Sequence, residues 1–516
     1  MRHFFTILLL ASLLPLGLQA QHVHTHDGKT TQWIDGYDHQ KDRLLQNIRS
    51  AASGTYTARN TIYVPIKFHV GANNDGSGRL SAQRVLDQLC EINEDFAALD
   101  IQFFLADGEI NFINNTTFYT NHANTQSTVM SSQRDPRAIN IYIVENANFD
   151  GSGGDGIVLA YYIPSRDWIV MTKTYVRKND TTLAHELGHY FSLLHTFNGW
   201  EAEGYNVENV PAPTTGTGDR ANQPVQTERV YGSNCGSAGD FLCDTPPDYN
   251  NGFGWQGCNF NLNVLDPLGQ TINPDERNYM SYFLDCPESE YFFSEDQSDV
   301  MKADMQTTRR SNLFLDPVPD YAEITGTSAN LFPEDEGTAD AYNFVEFVWE
   351  EVDGADSYLL EVDRVSSFSI NPVRIITSNT NAVVESLDPD RTYFWRVRPF
   401  NAHFACAANS DVTRFRTSEN PVSTSTPAEI EAFSVAPNPV AGENELTVYL
   451  STSASFAGQV ELLDVNGRKT AINQAFEFRV GENRINLNLS DLPNGIYFLR
   501  INGLTGNLTQ KVILAR

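Results

Sequence analysis

From Thr61 the chain alternates in the manner of a strand, running Ile62-Tyr63-Val64-Pro65-Ile66-Lys67-Phe68-His69-Val70. The glycine-rich stretch 71–78 turns it. Ser81 then predicts a helix start, with Val85, Leu86, Leu89, Ile92 and Phe96 along one face. Further strands are predicted at 101–105 and 139–144. Helices and strands mix through residues 61–316, which predicts an α+β domain, α/β in type. From residue 317 the texture changes to short strands separated by turns, at 344–349, 357–362, 373–377 and 393–398. Spacing of that kind predicts an all-β sandwich over 317–418. Residues 419–430, rich in Ser, Thr, Pro and Glu, read as a linker. The last segment, 431–516, is again β-patterned, at 446–450, 460–464, 484–489, 496–501 and 511–514, with Asn466-Gly467 as a hairpin turn.

The part before Thr61 follows neither period. Residues 21–60 are polar and read as a leader or pro-segment. His22, His24 and His26 crowd together there, a pattern that fits a solvated tail better than a metal site. Residues 1–20 have the plan of a cleaved signal peptide: basic Arg2 and His3, an apolar run over 4–18, and Ala20 before Gln21. No later stretch is long and apolar enough to cross a bilayer. Together these predict export, with no transmembrane segment once the signal is removed.

Composition sharpens the picture. With 35 Lys and Arg against 65 Asp and Glu, the 516-residue chain carries a formal charge of −30. Such a surface repels phosphate backbones and anionic membranes, which excludes nucleic acid as a partner. It suits calcium or basic substrates, or serves solubility alone. Six cysteines fit an oxidising compartment. Cys235, Cys243, Cys258 and Cys286 are disulfide candidates whose three possible pairings the sequence leaves open. Cys90, on an apolar helical face, and Cys406 are expected to be buried thiols.

The chemistry concentrates at His185-Glu186-Leu187-Gly188-His189, followed by His195. Residues four apart share a helix face, so His185 and His189 can turn their imidazoles to one metal ion. Glu186 sits about 100° round the helix and can reach a metal-bound water without ligating the ion. On an unbroken helix His195 would lie about 120° off the ligand face. The helix must therefore stop, and a sharp turn is expected near 191–193. Asp180-Thr181-Thr182 is of capping type, and Asn278-Tyr279-Met280-Ser281-Tyr282 lies downstream.

The three-histidine run and that later methionine segment resemble the metzincin zinc peptidases. His185 to Phe191, the trailing Leu194-His195-Thr196-Phe197, the run from Gly239 to Pro247 and Ile92-Asn93-Glu94-Asp95-Phe96 are similar to the pappalysin family, which includes the bacterial cytophagalysins (peptidase family M43). The resemblance covers roughly residues 60–310. It implies a zincin-like catalytic domain over 61–316 and a secreted zinc metalloendopeptidase acting on proteins or peptides. His185, His189 and His195 would be the zinc ligands and Glu186 the general base. Met280 would lie in a Met-turn beneath the metal, and Tyr282 would steady the oxyanion. The family usually has Gly where this chain has Ser192, so the turn is expected to be slightly strained. Asp285 would select a basic side chain after the scissile bond, or is a plain loop acid. Asp240, Asp244 and Thr245 would bind Ca2+, or stabilise a turn. No cysteine lies in the first sixty residues, so a leader cysteine on the zinc is excluded.

The 317–418 region resembles a fibronectin type III module through Val348-Trp349, Gly354 to Tyr358, Leu387-Asp388-Pro389 and the segment from Thr392 to Arg398. The 431–516 segment resembles the sorting domain of the type IX secretion system through Ala436-Pro437-Asn438-Pro439, Leu463 to Arg468 and the segment from Leu492 to Arg500. That resemblance implies the type IX machinery as a partner and a Bacteroidetes-type bacterium as the source. The competing class is a surface adhesin with a degenerate metal site, which every filled catalytic position argues against.

Overall fold

A computed structural model describes residues 31–53, 61–148, 158–250, 258–283, 286–287, 290–314, 322–385, 387–419, 429–440, 444–465, 467–502 and 507–515. The signal segment, the early histidines His22, His24 and His26, Asp285 and most of the expected linker lie outside them. The chain forms two compact units, residues 1–323 with 400–406, and 324–399 with 407–516.

The first unit begins with helix α1 (Thr31–Ala52), strand β1 (Ile62–Ala72), helix α2 (Ala82–Asp95), β2 (Ile101–Leu105) and β3 (Asn111–Asn114). Short α3 (Thr116–Thr120) and α4 (Ser131–Gln133) lead to β4 (Ile139–Val144), β5 (Ala160–Ile163) and β6 (Trp168–Thr172). Then come α5 (Thr182–Tyr190) and α6 (Glu295–Met305). The sheet order is β2-β1-β4-β6-β5, with β3 also pairing β1. Only the β5–β6 pairing is antiparallel. Parallel strands covered on both faces bury nearly every position. Hence β4, β5 and β6 are buried throughout, and β1 is far less one-sided than its alternation predicts. Ser81 caps α2 as expected, its hydroxyl accepting from the Arg84 N–H.

One element here was not foreseen and one expectation fails. Residues 31–52 are helical, although no apolar period marks them. Gln40, Arg43, Leu44 and Asn47 have the i, i+3, i+4, i+7 spacing of one helix face, and all but partly exposed Arg43 are buried. Only Leu44 of the four is apolar, so hydrophobic patterning misses the element. Cys90 is no free thiol either: it is bonded to Cys406 across 316 residues of sequence, in the 400–406 segment that belongs to this unit. A partner that remote leaves no local signal. Of the four clustered cysteines, Cys235 pairs with Cys243 and Cys258 with Cys286.

The second unit holds two β cores. In the first, β7 (Asn330–Phe332), β9 (Val345–Trp349) and β12 (Asn381–Val384) form one sheet. The other sheet comprises β8 (Gly337–Thr338), β10 (Ser357–Asp363), β11 (Val373–Thr377), β13 (Thr392–Phe400) and β14 (Thr413–Arg416). Phe347, Trp349, Leu360, Val362, Trp395 and Val397 fill this core, and the Tyr393 hydroxyl accepts from the Asp388 N–H. In the second, β15 (Ile430–Ala436), β16 (Glu445–Thr452) and β19 (Gly481–Asn488) pair. So do β17 (Phe456–Leu463), β18 (Lys469–Phe478), β20 (Gly495–Asn502) and β21 (Asn507–Leu514). Gly467, at φ 70°, lies in the turn between β17 and β18.

Candidate metal centre

Helix α5 is short, and all nine of its residues are buried. Asp180 helps start it by accepting from the Thr182 N–H at 3.1 Å. The helix stops at Tyr190 in a Schellman arrangement. Leu193 N donates to Gly188 O (2.9 Å) and Ser192 N to His189 O (3.0 Å), with Ser192 at φ 81°. This is the turn that the spacing of His195 requires. Ser192 is fully buried there, and its hydroxyl accepts from Asn47 Nδ2 at 2.9 Å.

Past the turn, His195 returns to His185 and His189. His195 Nε2 lies 3.1 Å from His185 Nε2 and 3.1 Å from His189 Nε2. Each ring's other nitrogen faces an acceptor: Nδ1 of His185 meets Tyr279 O (2.6 Å), that of His189 meets Leu193 O (2.8 Å), and that of His195 meets Glu201 Oε1 (2.7 Å). Those acceptors place the proton on Nδ1 and leave a lone pair on every Nε2. Arg220 Nη2 accordingly donates to His189 Nε2 (2.9 Å) and His195 Nε2 (2.8 Å). Three imidazole lone pairs directed at one another repel unless a cation lies between them. Tetrahedral ligands with bonds of about 2.0–2.1 Å stand about 3.3–3.4 Å apart, close to the spacing here. The three rings are the group of side chains that could hold a metal ion among the described residues, and they fit one.

The surrounding groups are equally constrained. Burial pushes the Glu186 carboxyl up to about 7, while the Arg220 guanidinium and a Tyr162 backbone N–H favour its charged form. Tyr282 is buried, its ring centroid 4.9 Å from that of His195. Burial raises its pKa above the usual phenol value, so it stays a neutral donor, and its hydroxyl bonds Arg220. Met280 is fully buried, and a Cβ built on Gly188 would run into its sulphur. The methionine thus lies against α5 between the two ligand positions. Its turn is held by Asn278, whose Oδ1 accepts from Met280 N at 2.9 Å, and Met280 O accepts from Thr196 N at 3.1 Å.

Sequence reasoning missed Glu201 and Arg220. Burial pushes the Glu201 carboxyl up to about 7, with Arg220 opposing. Neither residue belongs to a spaced motif, and both reach the histidines only through the folding of the 198–223 loop. The residues singled out for calcium take protein partners, and Asp244 remains near enough to Asp240 to repel its carboxyl. Asp240 is buried and accepts from the Thr245 hydroxyl (3.0 Å). Asp244 turns to α6, accepting from Ser294 Oγ (2.9 Å) and Asp296 N (2.7 Å). Beside Asp240 lies buried Glu228; burial and repulsion by Asp240 push the Glu228 carboxyl upward, while burial and repulsion by Asp244 push that of Asp240 upward.

These features define a disulfide-bonded protein with a buried three-histidine centre that could hold a metal ion. Comparison with known proteins agrees. Residues 434–515 match the secretion system C-terminal sorting domain. An extracellular metalloprotease of Verticillium alfalfae is 28% identical over 194 residues, 32% of this chain and 63% of that protein. One from Neurospora crassa is 25% identical over 191 residues, 33% of this chain and 64% of that protein. The chain thus spans somewhat less than two thirds of the length of these relatives. The FN1–FN3 domains of chicken CNTN1 match over 38% of this chain and 70% of that one, at 16% identity and a TM-score of 0.17, too slight to assign a fold. The protein is secreted or held at the cell surface of a Bacteroidetes-type bacterium. Among the described residues no helix is long and apolar enough to cross a membrane.

Proposed function

We propose that the chain is a zinc-dependent metalloendopeptidase of the pappalysin type that cleaves peptide bonds in proteins. The observation that carries this reading is the convergence of three Nε2 lone pairs, each backed by a committed Nδ1–H. His185, His189 and His195 would hold the ion. Bound zinc would supply a Lewis acid that brings the pKa of water towards about 7. Glu186 takes the proton of the attacking water and returns it to the leaving amine. Burial favours the neutral form of its carboxyl, which suits it to hold that proton between the two transfers. Tyr282, a neutral buried donor, steadies the carbonyl oxygen as negative charge develops. Met280 forms the apolar floor under α5. Asp285 is assigned to selecting a basic residue after the scissile bond. The 317–418 module serves as a spacer, and the C-terminal segment engages the type IX secretion machinery. Calcium is assigned to Asp240 and its neighbours, with Glu228 as a further ligand, since a divalent ion would relieve the repulsion between those carboxyls.

Glu186→Ala tests the catalytic core. The wild-type chain is expected to cleave casein and to carry one zinc per chain by elemental analysis. The variant is expected to keep the zinc and lose at least about a thousandfold in rate, as loss of a general base does. A wild-type chain with bound zinc and no activity on casein, gelatin or a peptide library would instead favour the adhesin reading.

A further inference from the structure

The backbone that ends α5 is held from outside the catalytic segment 61–316. Gln40 Nε2 donates to His189 O (3.2 Å) and to Leu193 O (2.9 Å). Leu193 O is the same carbonyl that receives His189 Nδ1. Arg43 Nη2 donates to Tyr190 O (3.1 Å) and Asn47 Nδ2 to Ser192 Oγ (2.9 Å). Arg43 and Asn47 are themselves anchored on Asp304 of α6, whose carboxylate receives Arg43 (2.8 Å), Asn47 (2.8 Å) and Arg310 (3.0 Å). The last carbonyls of a helix have no partner within it, and here they are buried. Three polar side chains from one face of α1 supply partners to that turn.

We infer that α1 is a resident part of the metal centre, not a removable leader, and that Gln40, Arg43 and Asn47 are positioning residues for His189 and His195. Gln40 and His189 share an acceptor, so Gln40 fixes the carbonyl that sets the tautomer of the second histidine. Asn47 holds Ser192 in the left-handed conformation that brings the third one round. Proteolysis that removes residues 31–52 therefore inactivates the protein instead of activating it. This inference rests on reading the histidine triad as a zinc site.

The test measures the zinc dissociation constant of the secreted chain by competition with a chromogenic chelator, alongside metal-free melting temperatures. Gln40→Ala and Asn47→Ala are each expected to raise that constant about tenfold or more, the usual loss when support behind metal ligands is removed. Ser192→Gly is expected to suppress the effect of Asn47→Ala to about threefold or less, because glycine takes the turn unaided. A merely structural helix would lower the melting temperature of both variants without moving zinc affinity, and that result overturns the inference. Equal zinc affinity in a folded chain beginning at residue 61 overturns it as well. If the wild type takes up no zinc, the proposed function fails and carries this inference with it. If the wild type binds zinc and the variants match it, only the α1 assignment fails.

Discussion

Ser192 is where the chain departs from its expected pattern, and the departure can be weighed. At φ 81° a non-glycine residue costs about 1–2 kcal/mol. Its hydroxyl accepts one buried hydrogen bond from Asn47 at 2.9 Å, worth about 1 kcal/mol net. Ser192→Gly removes the backbone cost, loses that bond and adds about 0.5–1 kcal/mol of unfolded-chain entropy. The sum is near zero, within about 1 kcal/mol of the wild type. Ser192→Ala keeps the backbone cost, loses the bond and leaves the Asn47 amide to Asp304 alone, so it should destabilise by about 1–2 kcal/mol. Ser192→Val adds crowding at a fully buried position and should cost about 1–3 kcal/mol more. The assay is urea unfolding in EDTA, followed by tryptophan fluorescence, with the order Gly, Ala, Val expected. An alanine variant as stable as the glycine variant would refute the reasoning, because the positive φ would then carry no cost.

Other consequences are as direct. Gly188→Ala places a methyl group against the Met280 sulphur and should cost about 1–3 kcal/mol in unfolding, with Met280→Ala partly relieving it. Asp95, which accepts from the Tyr279 hydroxyl at 2.6 Å, is raised from an ordinary carboxyl to about 7, chiefly by burial. A carboxyl raised on folding favours the native state while protonated, and that contribution is lost as pH rises from about 4 to about 7. Asp95→Asn should therefore melt progressively higher than the wild type across that window, and a constant difference would count against it. For calcium, EGTA should lower the melting temperature of the wild type and leave Glu228→Gln unchanged. An equal response in both would remove Glu228 from the site.

Much of the fold was legible because it depends on short-range period. The β1 strand, the α2 face from Val85 to Phe96 and the predicted strands of the second unit (β9, β10, β11, β13, β16, β17, β19, β20 and β21) fall where alternation or helical spacing sets them, whereas β7, β8, β12, β14, β15 and β18 were not foreseen. The stop after Tyr190 was legible for a geometric reason, since His195 at its spacing cannot share an unbroken helix face with His189. Helix α1 was not, because the face it buries is Gln40, Arg43 and Asn47 around one leucine, and hydrophobic patterning does not register polar contacts.

By itself the sequence determined the local chemistry: two imidazoles one helical turn apart, an acid beside the first, and a chain that must double back to deliver a third. Spacing along one segment dictates such things, because backbone geometry is the same in every protein. Tertiary structure alone decided what holds those groups. It chose Glu201 behind His195, Arg220 at the imidazole nitrogens, Cys406 as the partner of Cys90, and α1 as the support of the turn. Each of these joins residues that meet only through loops and packing. The strength of a buried hydrogen bond or a disulfide depends on proximity in space, which carries no mark in the sequence between them.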